Sequence, residues 1–332
     1  MTFSSCLFML WIVIQSTHAL INCSDFGTEF KIRDKFPFDI LWKQSTADLL
    51  TTYAIEGENS TITELHIADK TCIPKFISCF QHLQKLVISN TSLCNLASES
   101  IFEIEYLPSS LVDLQLSNMN IKHLSRGISI LTRLQLLSFT NVPLVSLPNT
   151  IRNLPALKFL SITNSTLRRL PAGLQNLESL TLKNNLFLDF LQSIDNSPVL
   201  TTLVITSCPM PRLPANLSNL VDLHIISSNL THLDGIETLG VRNNKPKRFH
   251  FLENSIRSIS KTIKQVRNLS RLNLKYNQLS GLPNEFYNIT TLKYLNLKKN
   301  RFRPYEKDIT RSRLGEIYSN VKTSPNFCEI IL

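Results

Sequence analysis

The chain has 332 residues, with 35 Lys and Arg against 25 Asp and Glu, a net charge of +10, eight glycines and seven cysteines. With so few glycines it carries no glycine-rich phosphate loop, and it contains neither Gly-x-Ser-x-Gly nor His-Glu-x-x-His, so the usual signatures of nucleotide binding, serine hydrolysis and zinc proteolysis are missing. The basic balance points to acidic partners; no nucleic-acid-binding module is recognisable, so nucleic acid is not the expected partner.

The first element is an apolar run from Cys6 to Ile14, too short to cross a bilayer. Thr17-His18-Ala19 follows, with small residues at the last and third-last places, so residues 1–19 read as a secretory signal peptide cleaved before Leu20. No later stretch reaches 18 consecutive apolar residues, and a secreted, extracellular chain without a membrane span is expected. N-glycosylation sequons agree with that compartment: Asn22, Asn59, Asn90, Asn164, Asn216, Asn229, Asn268 and Asn288. Residues 20–61 carry Phe26, Phe30, Phe36, Phe38, Leu41 and Trp42 without any repeat, and are expected to form an N-terminal cap over an open core.

From residue 62 to 314 the chain repeats Leu-x-x-Leu-x-Leu-x-x-Asn-x-Leu, most clearly in Leu269, Leu272, Leu274, Asn277, Leu279 and in Leu292, Leu295, Leu297, Asn300, Phe302. Eleven copies align, starting at Ile62, Leu83, Leu111, Leu134, Leu157, Leu177, Leu200, Leu220, Pro246, Leu269 and Leu292, most of them 23 residues apart. In the copy at Leu134, Leu137 and Phe139 are spaced by two, as a strand with one buried face requires. Leu144, Leu147, Ile151 and Leu154 then come at helical steps on the return side, where Pro148 restricts regular helix. A single unit exposes its apolar face, and stacking buries it. The longer copies at Leu83 and Leu220 place extra loop or turn at residues 98–110 and 235–245. Residues 315–332 are expected to form a short C-terminal cap.

This wording resembles the leucine-rich repeat family, and its Leu-Pro form (Leu147-Pro148, Leu170-Pro171, Leu213-Pro214, Leu282-Pro283) is similar to animal and signalling-type members. The resemblance implies an α/β solenoid: a horseshoe with a parallel β-sheet on its concave face and irregular or short helical convex segments. It also implies an internal ladder of asparagine amides. That position holds Asn185, Asn254, Asn277 and Asn300, but Lys70, Thr91, Ser165, Cys208 and Ser228 in other copies, and Met119 and Val142, which cannot bond the backbone, in two.

Outside the signal six cysteines remain. Cys23, Cys72, Cys79 and Cys94 cluster near the front and are disulfide candidates whose pairing the spacing does not give. Cys208 lies at a ladder position and reads as a buried free thiol, which leaves Cys328 for a disulfide-linked partner or for none. No Cys-x-x-Cys occurs; no metal and no cofactor is expected.

Alternation along each strand assigns the open-face positions column by column. The front is mildly acidic. The middle is small, hydroxylated and amide-rich, with Leu136 and Phe159 as bulky apolar tips. The rear is basic and aromatic, and Arg248, His250, Arg271, Lys275, Tyr276, Tyr294, Lys298 and Lys299 are the candidate ligand-binding residues. Residues 242–322 hold 19 Lys or Arg against 5 Asp or Glu, a net of +14, so the remainder carries −4. Such one-sided charge attracts anionic ligands. His224 and His250, neighbours in one column, are expected about 5 Å apart as polar tips. The residues therefore point to a secreted, non-enzymatic recognition protein with a protein or anionic glycan ligand; the resemblance implies innate immunity, matrix adhesion or receptor-type binding. The alternatives are an inhibitor of an extracellular hydrolase, similar to the plant repeat proteins raised against pectin-degrading enzymes, and a disulfide-linked subunit of a receptor complex.

Overall fold

The structure, a computed structural model, describes residues 52–56, 62–68, 77, 80–91, 101–102, 104, 107–185, 191–319 and 329–331. The expected signal segment, most of the expected N-terminal cap, Asn22, Asn59 and the cysteines Cys23, Cys72, Cys79, Cys94 and Cys328 lie outside the described residues.

The strands, in chain order, are β1 (Thr52–Glu56), β2 (Ile62–Ala68), β3 (Lys85–Ser89), β4 (Ile101–Phe102), β5 (Asp113–Ser117), β6 (His123–Leu124), β7 (Leu136–Thr140), β8 (Phe159–Ser165), β9 (Ser179–Asn185), β10 (Thr202–Thr206), β11 (Asp222–Ile226), β12 (Lys247–His250), β13 (Leu269–Asn273), β14 (Tyr294–Asn296) and β15 (Glu329–Ile331). All but β4 and β6 join one 13-stranded sheet, in chain order. β1 runs antiparallel to β2, and every later pairing is parallel. β4, in the extra turn of the long copy at Leu83, pairs separately with β6 of the next copy.

The pleat explains the sequence pattern. β3, β5, β7, β10 and β11 all alternate half-buried and buried positions. The second leucine of each copy falls into one row, Leu65–Leu86–Leu114–Leu137–Leu160–Leu180–Leu203–Leu223–Phe249–Leu272–Leu295, joined strand to strand and almost wholly buried. Each such side chain contributes about 1.5–3 kcal/mol by leaving water, so the core is a line of equal increments.

The return segments are 3-10 turns at Arg126–Ile130, Asn149–Asn153, Ile236–Thr238, Lys261–Gln265 and Asn284–Asn288. Two start after Pro148 and Pro283 of the Leu-Pro copies, where a residue without an N–H costs no bond. Two start after Ser125 and Ser260, whose hydroxyls accept from Gly127 N and Thr262 N. Helix α1 (Leu191–Ile194) is a single turn, and helix α2 (Pro304–Ser319) runs across the expected border between the last repeat and the cap. β15 then lies parallel to β14.

The asparagine ladder forms where its residues are present. Asn185, Asn254 and Asn277 are buried; each donates to carbonyls of its own and the preceding copy and accepts a backbone N–H. Asn300 does the same toward Leu274 O, Leu297 O and Leu279 N. The thiol of Cys208, buried and free, points at Leu182 O and Thr206 O, and burial pushes its pKa up. Met119 and Val142 simply pack into the core. Beside them runs a second ladder, on the outside. Asn184 Nδ2 donates to Asn164 Oδ1, Asn164 to Asn141 and Asn141 to Asn118, at 2.6, 2.6 and 2.7 Å. All four residues have left-handed backbone, which asparagine tolerates better than most side chains. The outer ladder thus ties together the copies in which the inner one lapses.

One alignment needs correction. Pro246, taken as the first position of its copy, is exposed, and Lys247 goes into the core instead, 0% exposed. A register shift between Lys247 and Arg248 accommodates it, with Lys247 opposite Leu269 and Arg248 opposite Arg271. The amine donates to Asn243 O and Arg267 O at 2.8 and 2.7 Å, and burial lowers its pKa.

Candidate ligand-binding surface

The strands deliver side chains to the open face as neighbours. Asp222, Arg248, Arg271 and Tyr294 are successive Cα partners, as are His224, His250, Asn273 and Asn296. A backbone bond from Tyr276 N to Lys298 O sets the next row beside them. The eight expected binding residues are thus brought together at the end of the sheet, in three distinct electrostatic states.

Arg248 is engaged. Its guanidinium donates to both carboxylate oxygens of Asp222, which holds its pKa above the usual arginine value. Arg271, Lys275, Lys298 and Lys299 have no carboxylate within ion-pair distance among the described residues. Arg271 lies over the Tyr294 ring at 5.8 Å and Lys275 over Tyr276 at 4.7 Å. These contacts orient the cations without neutralising them. Tyr276 remains 44% exposed and can also contact a ligand.

His224 and His250 form a parallel stack with centroids 4.5 Å apart and planes 4° from parallel. Burial lowers both pKa values; His250 falls to about 4, with His224 and Arg271 as further contributors. At neutral pH both rings are therefore uncharged. The unfolded chain takes up protons near pH 6.5 while the folded chain resists until about 4, so stability is full above pH 6.5 and declines as pH falls toward 4. We expect the urea midpoint of the wild type to fall over this window, and that of His250→Asn to fall less; equal declines would contradict the assignment.

Two open-face assignments need revision. Asn273 and Asn296 are buried, at 8% and 7% exposure. The strands end there, and each amide oxygen accepts the backbone N–H two residues on, from Lys275 and Lys298 respectively. Short strands thus turn the tail lysines outward at the expense of the asparagines. At the front, Lys85 and His66 both contact Glu64 and lower its pKa, so the acidic zone is largely self-compensated.

In the middle, Leu136 and Phe159 are direct neighbours across β7 and β8. Phe159 is 41% exposed. With Gln115, Ser138, Leu160, Ser161, Ser179 and Thr181 they line a shallow depression of about 180 Å³. The other six sequon asparagines, Asn90, Asn164, Asn216, Asn229, Asn268 and Asn288, are all exposed. No cluster of three or more His, Cys, Asp or Glu side chains suited to a metal occurs among the described residues, and no helix there is long and apolar enough to cross a membrane.

No protein-family model matches the sequence, and comparison with curated proteins finds no relative. Solved structures do match. The leucine-rich repeat protein FLRT2, from an octameric complex with Latrophilin 3 and Unc5D, aligns with a TM-score of 0.64 and 20% identity over 79% of this chain and 83% of that one. An internalin from Listeria monocytogenes aligns with a TM-score of 0.54 and 20% identity over 81% and 79%. YopM, a leucine-rich effector protein from Yersinia pestis, aligns with a TM-score of 0.52 and 24% identity over 74% and 60%. The chain has the leucine-rich repeat fold, an α/β solenoid whose parallel sheet forms the concave face.

Proposed function

We propose that this is a secreted, non-enzymatic recognition protein that binds an anionic macromolecule on the rear of its concave face. The observation that carries the reading is the set of four cations, Arg271, Lys275, Lys298 and Lys299, that have no carboxylate partner among the described residues and share two neighbouring copies with Tyr276 and Tyr294. An acidic protein or a sulfated glycan would supply the missing countercharge, and Arg and Tyr are residue types that anchor interfaces. Sharing its fold with FLRT2, seen in a complex of several proteins, is in keeping with a binding role. In this reading residues 1–19 are a cleaved leader, residues 20–61 and 315–332 cap the solenoid, the exposed sequons carry sugar and the front cysteines pin the cap.

Heparin chromatography tests it. Changing Arg271, Lys275, Lys298 and Lys299 together to Ser is expected to lower the salt concentration needed for elution well below that of the wild type. Changing Arg257, Lys261, Lys264 and Arg267, four exposed charges on the return side, removes the same net charge and should lower it less. Equal shifts for the two variants would reduce the rear patch to general basicity.

A further inference from the structure

The concave wall carries more than its cations. Beyond Leu136 and Phe159, and across β9, whose open face is Ser179, Thr181 and Lys183, half-buried Val204, Ile226 and Leu252 form an apolar track that reaches Lys275 and Lys298. These three lie on successive copies: Val204 is the Cα partner of His224, one pleat from Ile226, and Glu253 N bonds to Lys275 O, which brings Leu252 beside the lysines. Among the open-face residues of β5 to β11, Lys183 alone is cationic, while Asp113 and Asp222 are acidic. A uniform polyanion laid along the wall would therefore meet clustered cations only at the rear; from β5 to β11 it would find one lysine, Lys183, against two carboxylates, of which Asp222 is already paired with Arg248.

We propose that the ligand segment is an extended acidic polypeptide with two unlike ends: a large apolar side chain seated at Leu136 and Phe159, and carboxylates at Lys275, Lys298 and Arg271. This rests on the rear-patch reading and adds to it the choice of polypeptide over glycan. The spacing follows from the sheet. Five strand steps separate Phe159 on β8 from Arg271 on β13, about 24 Å at ~4.8 Å per step, and an extended chain covers that with about seven or eight residues. The hydroxyls of Ser161, Ser179 and Thr181 lie between the ends and can meet the ligand backbone; they are small enough to let it approach. The apolar notch sets where the segment begins, and the cations set which way it runs.

Selection from an unbiased library of displayed random peptides, on the full chain, tests the proposal. Enriched sequences should share an aromatic or large aliphatic residue and a pair of carboxylates at a constant separation of about seven or eight residues. Phe159→Ser should abolish the apolar preference and weaken a selected peptide about tenfold or more while leaving heparin retention unchanged; thermal melts establish that the variant is folded. Enrichment without a fixed spacing, no enrichment at all, or indifference of selected peptides to Phe159→Ser overturns the two-ended ligand. Loss of the heparin difference between the rear and return-side variants would instead overturn the rear patch itself, so the two failures are distinguishable. Capture of sulfated oligosaccharide with no peptide enriched would assign the patch to a glycan and refute the polypeptide.

Discussion

Gly240→Ala is expected to destabilise the protein by about 3 kcal/mol, lowering the melting temperature by roughly 6–12 °C. Two effects add. Gly240 has φ +68°, a conformation an alanine adopts only with strain. A methyl group there would also stand 2.2 Å from the Lys247 side chain and 2.4 Å from Leu220 O, and the carbonyl belongs to a buried residue of the stack. The Lys247 stem cannot swing away easily, because its amine is fixed between Asn243 O and Arg267 O. Gly235→Ala is the matched control: φ is +85°, but nothing lies within 4 Å of the added atom. It should cost about 1 kcal/mol, the backbone part alone. Thermal melts of the two variants give the difference, and equal shifts would show that the loop yields to the methyl group.

Asn277→Val is expected to cost about 2–4 kcal/mol, because it strands Phe251 O, Leu274 O and Ile256 N in the interior with their side-chain partner gone. The chain offers an internal comparison, since Val142 occupies the same place in an earlier copy without any such bonds. That copy has the outer asparagine ladder and the Ser165 hydroxyl, which donates to Val142 O. The copy at Leu269 has Tyr276 where the outer ladder would need an amide. Denaturant unfolding of Asn277→Val measures the cost; a value near zero would mean that packing alone holds the ladder position everywhere.

The fold was legible in the sequence because the repeat states the same physical requirement in every copy. The buried row from Leu65 to Leu295 is the second leucine of each alignment, and the partners of β5 through β14 join equivalent positions. The expected clustering of the rear residues followed from the same register. What escaped was set by contacts between side chains, on which periodicity is silent. The engagement of Arg248 by Asp222 depends on how far two side chains of one column reach toward each other, which adjacency alone does not state. Lys247 displaced Pro246 from the interior because a long aliphatic stem can fill a leucine site when two carbonyls take its amine. The inward turn of Asn273 and Asn296 follows from where their strands stop. The outer ladder did leave a signal: Asn118, Asn141, Asn164 and Asn184 occupy one column, and asparagine is enriched where backbone turns left-handed.

That column has a consequence for sugar attachment. Asn164 belongs to a sequon and also stands mid-ladder, donating one amide hydrogen to Asn141 and accepting from Asn184. A primary amide has two hydrogens, and glycosylation consumes one of them. An oligosaccharide on Asn164 would therefore leave the ladder unbroken only by taking the hydrogen that faces away from Asn141. Its first sugar would then be aimed by the neighbouring amides, making it a stiff fixture on the rim instead of a freely sweeping branch.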